Sequence, residues 1–241
     1  NIYVYGGVEG LHAQMAFCDF TLGYATTACG RDFFGIVTGT GGIAAIDATM
    51  MGNTTIGVWS LSQGTAAPSG YRMVTDPSSM YLIGKEEFYG KVAINNSRPG
   101  NNSLTYIGFF DSTAAATEPV DGAYFKIFTN ATINGRANVT AVIANNSVRV
   151  NSVNFTISTR SWYEYAVIVN ETATGVTFRV YNISGLQFEA NLSGALPKTA
   201  GRETGAGVLS GSGGAAPVSA MITAVVDYIK LEKEKKLDRL V

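Results

Sequence analysis

The stretch ATINGRANVTAVI, residues 131–143, says most about the fold of this 241-residue chain. Its centre, Asn134-Gly135, lies between two short runs that are rich in β-branched residues. An Asn-Gly pair favours the two-residue turn of a β-hairpin, because both of its residues reach positive φ easily. We therefore expect strands over Ala131–Ile133 and Ala137–Ile143, joined by a tight turn.

Similar runs occur along the rest of the chain, separated by turn residues about every ten positions, which is typical of an all-β sandwich or barrel. The other expected strands are Ile2–Tyr5, Phe33–Thr38, Thr55–Leu61, Met80–Ile83, Phe88–Ile94, Thr105–Phe110, Ala123–Phe128, Val148–Ile157, Trp162–Val169, Val176–Tyr181, Leu186–Ala190 and Ala220–Leu231. Asn145-Asn146 is a second, weaker turn signal. Gly201–Pro217 is rich in Gly, Ser and Ala and predicts a poorly packed loop.

The composition excludes several classes of protein. Charged residues make up 15% of the chain, against about 25% in an average soluble domain. The 17 Lys and Arg against 18 Asp and Glu leave no basic surface for nucleic acid. Aromatic residues at 11% argue against disorder, and no apolar run reaches the length of about 18 residues that a transmembrane helix needs.

The spacing of asparagines indicates N-glycosylation. Ten of the 16 asparagines begin an Asn-X-Ser/Thr triplet, whereas the Ser and Thr content would produce about three by chance. These ten are Asn53, Asn95, Asn101, Asn130, Asn138, Asn145, Asn154, Asn170, Asn182 and Asn191. In the run from Asn154 to Ser158, alternation places Phe155 and Ile157 on one face and the sequon on the other. The alternative is that turns of β proteins are simply rich in Asn, Ser and Thr.

Dense sequons predict an extracellular or virion-surface location, and they are common on external proteins of archaea and of the viruses that infect them. That setting permits a disulfide between Cys18 and Cys29, with two free buried thiols as the alternative. Zinc is not expected, because His12 is the only histidine and no second cysteine pair exists.

Four segments carry a resemblance to a known family. They are Gly39–Gly42 with Gly57–Trp59; Pro68–Met73 with Phe88–Val92; Tyr106–Ser112 with Asp121–Lys126; and Trp162–Tyr165 with Gly175–Tyr181 and Val226–Leu231. Their order resembles the concanavalin A-like jelly roll of legume lectins, laminin G-like modules and many virion structural proteins.

The resemblance implies an all-β, two-sheet antiparallel jelly-roll sandwich over residues 32–231, with Trp59 and Trp162 among the aromatic residues of the core. Residues 1–31 would form an N-terminal extension, either an extra strand with a disulfide loop or an arm that reaches a neighbouring subunit. Residues 232–241 would form a short charged tail.

Catalysis is not expected. Glucanases of this fold place paired carboxylates on one strand with the spacing E-x-D-x-E or E-x-D-x-x-E, and the chain has no such triplet. Glu118 and Asp121 fall in a loop-like segment, while the adjacent Glu86 and Glu87 would point to opposite faces of a strand. His12 has no evident nucleophile partner. We therefore predict no catalytic residues and a non-enzymatic protein.

Asp111, Glu118 and Asp121 lie in one polar segment, and Asp111 and Asp121 are weak candidates for a Ca²⁺ site. The alternative is that they only form turns. No other cofactor is expected.

These observations together predict a surface structural glycoprotein of a virion: a capsid decoration, turret or fibre component that also aids host attachment. Its partners would be copies of itself or neighbouring capsid or filament subunits, paired through sheet edges, and a cell-surface glycan. The alternative is a secreted cellular adhesin, carbohydrate-binding module or extracellular filament subunit.

Overall fold

A computed structural model describes the backbone of residues 13–19, 34–38, 45–46, 59–63, 70–74, 80–95, 103–111, 117–129, 135–212 and 221–234. Within these ranges the regular structure consists of sixteen β-strands. They form two antiparallel sheets of eight strands each. The described part contains no helix that could cross a membrane.

Sheet A has the order β14-β13-β12-β6-β16-β4-β3, and β1 also pairs with β16. Its strands are β1 (Ala13–Asp19), β3 (Ala45–Ile46), β4 (Trp59–Gln63), β6 (Glu86–Ile94), β12 (Trp162–Val169), β13 (Gly175–Asn182), β14 (Gly185–Ser193) and β16 (Met221–Glu234). The last strand thus runs three residues beyond the predicted end at Leu231.

Sheet B has the order β10-β9-β8-β7-β15-β5-β2, and β11 also pairs with β9. Its strands are β2 (Phe34–Thr38), β5 (Gly70–Val74), β7 (Ser103–Phe110), β8 (Gly122–Thr129), β9 (Arg136–Asn145), β10 (Val148–Asn151), β11 (Phe155–Ser158) and β15 (Gly205–Ser212). The turn from β9 to β10 places Asn146 and Ser147 at φ 52 and 65, so the weaker signal at Asn145-Asn146 marks a true turn whose two central residues lie one position later.

The main core lies between the sheets and is built from alternate residues of each strand. Phe88 and Val92 of β6 are fully buried there, as the family resemblance implies. The ring of Phe125 from β8 lies 5.3 Å from the rings of Tyr165 and Phe178, which come from the opposite sheet. Edge-to-face contacts of this kind join the sheets more tightly than area burial alone.

A buried chain of hydroxyl groups also joins the two sheets. Thr105 Oγ1 lies 2.6 Å from Ser210 Oγ in sheet B, and Ser210 Oγ donates to Thr223 Oγ1 of sheet A at 2.7 Å. Thr223 Oγ1 then donates to the carbonyl of Leu61 at 3.2 Å. Small polar side chains are therefore satisfied inside the sandwich, which offsets the cost of burying them.

Three sequence-based expectations are wrong. β15 falls within the predicted loop Gly201–Pro217, yet it is a fully buried strand between β7 and β5. Met80–Ile83 is not a strand, since Met80 forms only an isolated bridge with Thr204. Val148–Ile157 is two strands, because the chain turns away from β9 at residues 152–154 and returns to it.

The expectation that Trp162 belongs to the core is also wrong. Tyr163 and Tyr165 point into the core, so Trp162 lies on the outer face of sheet A, half-buried against Ala93 and Val225. Alternation along β12 decides this, because only every second residue faces the other sheet.

The protein is an all-β sandwich with the concanavalin A-like jelly-roll fold. The N-terminal strand β1 pairs with the second half of β16. The predicted strands Ile2–Tyr5 and Ala131–Ile133 lie outside the described residues.

Candidate functional site

The outer face of sheet A carries a row of four polar or aromatic residues that face solvent. Strand register places Tyr181 of β13 beside Glu164 of β12, Glu164 beside Lys91 of β6, and Lys91 beside Tyr228 of β16. Side chains that are direct neighbours across antiparallel strands are close enough to interact. Strands from three separate parts of the sequence, β6, the β12–β13 hairpin and β16, thus bring one polar row together.

Hydrogen bonds fix the geometry of this row. Lys91 Nζ lies 2.7 Å from Asp227 Oδ2, and the Tyr228 hydroxyl donates to Glu164 Oε2. Burial and this bond to Glu164 raise the pKa of Tyr228 above its ordinary value. The phenol therefore stays protonated at neutral pH and holds the Glu164 carboxylate in place.

The row forms the floor of a cleft of about 820 Å³. Its walls are the turn 158–162 on one side and the end of the β13–β14 hairpin on the other, and Ile183 at this hairpin is fully exposed. We call this space the Trp162 cleft. It is lined by Lys91, Ser158, Arg160, Ser161, Trp162, Tyr163, Glu164, Tyr181, Asn182, Ile183 and Tyr228.

The wall at Arg160 is held by the backbone. Arg160 adopts φ 60, and its amide donates to the carbonyl of Ile94 at 2.7 Å. Its Nε donates to Asn95 Oδ1 at 3.3 Å. A non-glycine residue in the left-handed region persists only where its surroundings hold it, so this turn is a defined feature of the cleft.

Trp162 forms the inner wall of the cleft. Lys91 Nζ lies 5.5 Å from the centroid of its ring, within the range of a cation–π contact. The cleft therefore combines aromatic surface with carboxylate, ammonium, guanidinium and hydroxyl groups. Such a lining suits a ligand that carries many hydroxyl groups and some apolar surface.

Asp111 and Asp121, the Ca²⁺ candidates of the sequence, both accept hydrogen bonds from the backbone of neighbouring loops, and the Ca²⁺ site stays a prediction. Asp111 Oδ1 accepts hydrogen bonds from the amides of Val120 at 2.9 Å and Asp121 at 3.2 Å. Asp121 accepts from the amide of Asn146 at 2.7 Å and from Arg202 Nη1 at 3.2 Å. These donors engage Oδ1 of Asp111 and both carboxylate oxygens of Asp121. In the described ranges no group of three or more His, Cys, Asp or Glu side chains is arranged for a metal.

Two glycines in the segments Tyr106–Ser112 and Asp121–Lys126, which carried part of the family resemblance, are needed for steric reasons. Gly108 and Gly122 have φ values of 130 and 153. A Cβ on Gly108 would lie 2.7 Å from the carbonyl oxygen of Ala123, and one on Gly122 would lie 2.3 Å from that of Phe109. The motif that carried the family resemblance is thus explained by close backbone approach and loop clamping.

Glu86 and Glu87 point to opposite faces of β6, as the sequence predicts. Glu86 is buried and accepts from the amide of Gly84 at 2.8 Å, whereas Glu87 on the other face accepts from the Tyr89 hydroxyl at 2.6 Å. Glu118 lies in a loop and pairs with Lys126 at 2.9 Å. His12 and Cys29 lie outside the described residues, and Cys18 lies on β1, so the disulfide stays a prediction.

The described sequons differ in exposure. Asn154, Asn170 and Asn191 are exposed, and Asn138, Asn145 and Asn182 are half-buried. Asn95 is only 4% exposed, which leaves no room there for a bulky glycan. The alternation predicted from Asn154 to Ser158 is confirmed, since Ile157 is buried and Thr156 and Ser158 are exposed. Asn53, Asn101 and Asn130 lie outside the described residues.

The residues of the Trp162 cleft were not found from the sequence. A usable signal was the alternation Glu87-Tyr89-Lys91 and Trp162-Glu164, which puts polar and aromatic groups on the solvent face of two strands. What was missing was the knowledge that β6 and β12 are neighbours.

Comparisons with known proteins agree on the fold. The SO2946 protein of unknown function from Shewanella oneidensis MR-1 has a crystal structure that is 16% identical, with a TM-score of 0.67 over 99% of this chain and 93% of that chain. The CBM2 module of the evolved Dit of Lactobacillus casei BL23 phage J-1 is 10% identical, with a TM-score of 0.56 over 92% and 96% of the two chains.

A glycoside hydrolase family 16 endo-glucanase from Bacteroides ovatus is 8% identical, with a TM-score of 0.52 over 89% of this chain and 98% of that chain. No curated protein matches the sequence significantly. At these identities the likenesses show a fold that enzymes and a phage protein share, and they do not transfer function.

A family match covers most of the chain. Residues 54–223 match the family described as SO2946-like, C-terminal domain. This range runs from the β4 region to the start of β16 and includes most of both sheets. The chain is therefore a member of the SO2946-like, C-terminal domain family.

Proposed function

We propose that this protein is a non-catalytic surface module that binds carbohydrate in the Trp162 cleft, as an outer structural component of a virion that aids attachment to the host. The cleft itself carries this proposal. Its aromatic walls and its fixed Glu164, Lys91 and Tyr228 offer the mixture of apolar surface, acceptors and donors that a saccharide requires.

Two further observations support the virion setting. The phage J-1 Dit module shares the fold over nearly its whole length. The excess of sequons fits an external surface. Sheet edges support assembly: β14 pairs with β13 on one side, and no described strand pairs with its other side.

A glycan array tests the binding function. We expect saturable binding of the wild-type protein at micromolar strength to at least one class of glycan. Glu164→Gln should weaken this binding about tenfold, because a charged acceptor is lost from the cleft floor. Glu189→Gln is the matched control, since Glu189 lies on the same face, pairs with Arg179 at 2.7 Å and does not line the cleft. Wild-type protein that binds no glycan would refute the proposal.

The glucanase likeness favours one competing function, hydrolysis of β-glucans. The arrangement of carboxylates speaks against it, because Glu164 is bonded to Tyr228 and Asp227 to Lys91, and the expected triplet spacing is absent from the sequence. Incubation with mixed-linkage β-glucan should release no reducing sugar. Release that a Glu164→Gln variant abolishes would establish an enzyme instead.

Material from the native source tests the external setting. Peptide mapping by mass spectrometry should find glycans on Asn154, Asn170 and Asn191 and none on Asn95, because only the former three are exposed. Electron microscopy of the same material distinguishes a virion from a cellular filament or a free monomer. Unmodified protein on a cell surface would support the adhesin alternative.

A further inference from the structure

The charged groups of the Trp162 cleft are separated into two ends. At one end Lys91 lies between two carboxylates: Asp227 at 2.7 Å, and Glu164, its direct neighbour across the strands. The Tyr228 hydroxyl donates to Glu164 at the same end. These three charges sum to one negative charge, so this end presents carboxylate acceptors together with an ammonium donor.

The other end is positive. Arg160 is exposed and lines the cleft. Its Nε is bonded to Asn95 Oδ1, but in the described part of the chain nothing accepts a hydrogen bond from its Nη1 or Nη2 and no carboxylate lies within ion-pair distance. The hydroxyls of Ser158 and Ser161 line the cleft beside it. This end therefore offers a fixed guanidinium fork with unused donors.

A guanidinium with two free nitrogens forms paired hydrogen bonds with a carboxylate or sulfate, and such charge-assisted pairs are stronger than neutral ones. Sugar hydroxyls, in contrast, bind well to the mixture of acceptors and donors around Glu164 and Lys91. The two ends together fit a ligand that has one acidic group and several hydroxyl groups.

Resting on the proposed carbohydrate binding, we propose that the ligand of the Trp162 cleft is an acidic saccharide whose carboxylate or sulfate binds Arg160. The adjacent ring then lies over the cleft floor, with its hydroxyls on Glu164 and Lys91. The bond from Arg160 Nε to Asn95 Oδ1 restrains the guanidinium, so the fork is partly oriented before the ligand arrives and the ordering cost is reduced.

The test uses an array of neutral oligosaccharides, each printed beside its uronic acid and its 6-O-sulfated counterpart. Wild-type protein should bind an acidic member about ten- to a hundredfold more tightly than its neutral partner. Arg160→Gln should remove this preference, so that the acidic and neutral partners bind with equal affinity. Arg160→Lys should restore only part of it, because an ammonium cannot form the paired contact.

Lys198→Gln is the matched control for loss of a positive charge, because Lys198 is exposed and does not line the cleft. Equal binding of neutral and acidic partners would overturn the acidic-saccharide inference and leave carbohydrate binding intact. Absence of all binding would overturn both. If Arg160→Gln does not fold, the comparison of paired ligands on the wild-type protein, repeated at rising salt concentration, still decides the question, because an ionic contact weakens with salt.

Discussion

The outer faces of the two sheets are built differently. On sheet A the face carries the half-buried polar row of Tyr181, Glu164, Lys91 and Tyr228 across β13, β12, β6 and β16. On sheet B the corresponding face is a second buried cluster, composed of Tyr106, Phe110, Tyr124, Val142, Ala144 and Leu209. The rings of Tyr106 and Tyr124 meet edge to face at 5.6 Å.

The difference lies in what covers each face. Beside the sheet B cluster, Arg149 donates to the carbonyl of Pro119 at 2.9 Å and pairs with Glu118 at 3.4 Å, which anchors the 117–120 loop. Burial raises the pKa of Tyr106 above its ordinary value, and the nearby Glu118 adds to this effect. Tyrosine thus packs inside a buried cluster on one face and lines a solvent-facing cleft on the other.

The largest expected effect compares one truncation on the two faces. Tyr124→Ala should lower the free energy of unfolding by about 3–5 kcal/mol, because it opens a cavity in a fully buried cluster. Tyr181→Ala, on the half-buried face of sheet A, should cost about 1 kcal/mol or less. Urea denaturation measures both. Equal losses would show that the two faces do not differ in packing.

The next effect concerns the backbone beneath the sheet B cluster. Gly108 pairs with Gly207 across the strands, and Gly108→Ala should cost about 2 kcal/mol or more, because the new Cβ collides with the carbonyl of Ala123. Gly135→Ala is the control at φ 70 with no atom within 4 Å, and strain alone should cost about 1 kcal/mol there. Thermal unfolding of the two variants should separate steric from conformational cost, and identical melting temperatures would contradict the steric account.

Removing one tyrosine hydroxyl should change the free energy of unfolding by a smaller amount, and in opposite directions on the two faces. Among the residues that the structure describes, the buried Tyr106 hydroxyl has no hydrogen-bond partner, so Tyr106→Phe should stabilise the fold by about 1 kcal/mol. The Tyr228 hydroxyl donates to Glu164, so Tyr228→Phe should destabilise it by about 0.5–1 kcal/mol. Urea titration of both variants checks the signs, and a loss of stability in Tyr106→Phe would indicate an unrecognised partner.

The smallest effect is a pH dependence. Burial raises the pKa of Asp111, which directly follows β7 of sheet B, above its ordinary value of 3.8. Because the folded state then binds more protons than the unfolded state, this group lowers stability as the pH rises from about 4 toward its raised pKa. Asp111→Asn should lack this decline in unfolding free energy, whereas Glu189→Gln should keep it. A steeper decline in Asp111→Asn would give the pKa shift the opposite sign.

Much of the fold follows from local pattern. Trp162–Val169 is a strand with the predicted bounds, and the two adjacent acids Glu86 and Glu87 separate to opposite faces as alternation requires. β15 was missed because its residues Gly, Ala and Ser are typical of loops. It is buried on both faces beside β7, where small side chains are needed and where no local signal marks a strand.

The candidate site depends more on tertiary structure than the strands do. Lys91, the hairpin pair Glu164 and Tyr181, and Tyr228 come from three distant parts of the chain, and they meet only because β13, β12, β6 and β16 are consecutive in sheet A. Strand order of this kind is set by long-range pairing, which a single sequence does not encode locally. Trp162 shows the same limit, since its apolar character predicts burial and its register puts it at the cleft.

The sequence by itself determined an all-β sandwich, the solvent-facing positions of alternating strands and an excess of sequons, because turn chemistry and the two-residue period of a strand are local properties. Only the tertiary structure decided which outer face is open, which asparagines are exposed and which polar groups share a cleft. These depend on the order in which distant strands pair and on which loops cover them.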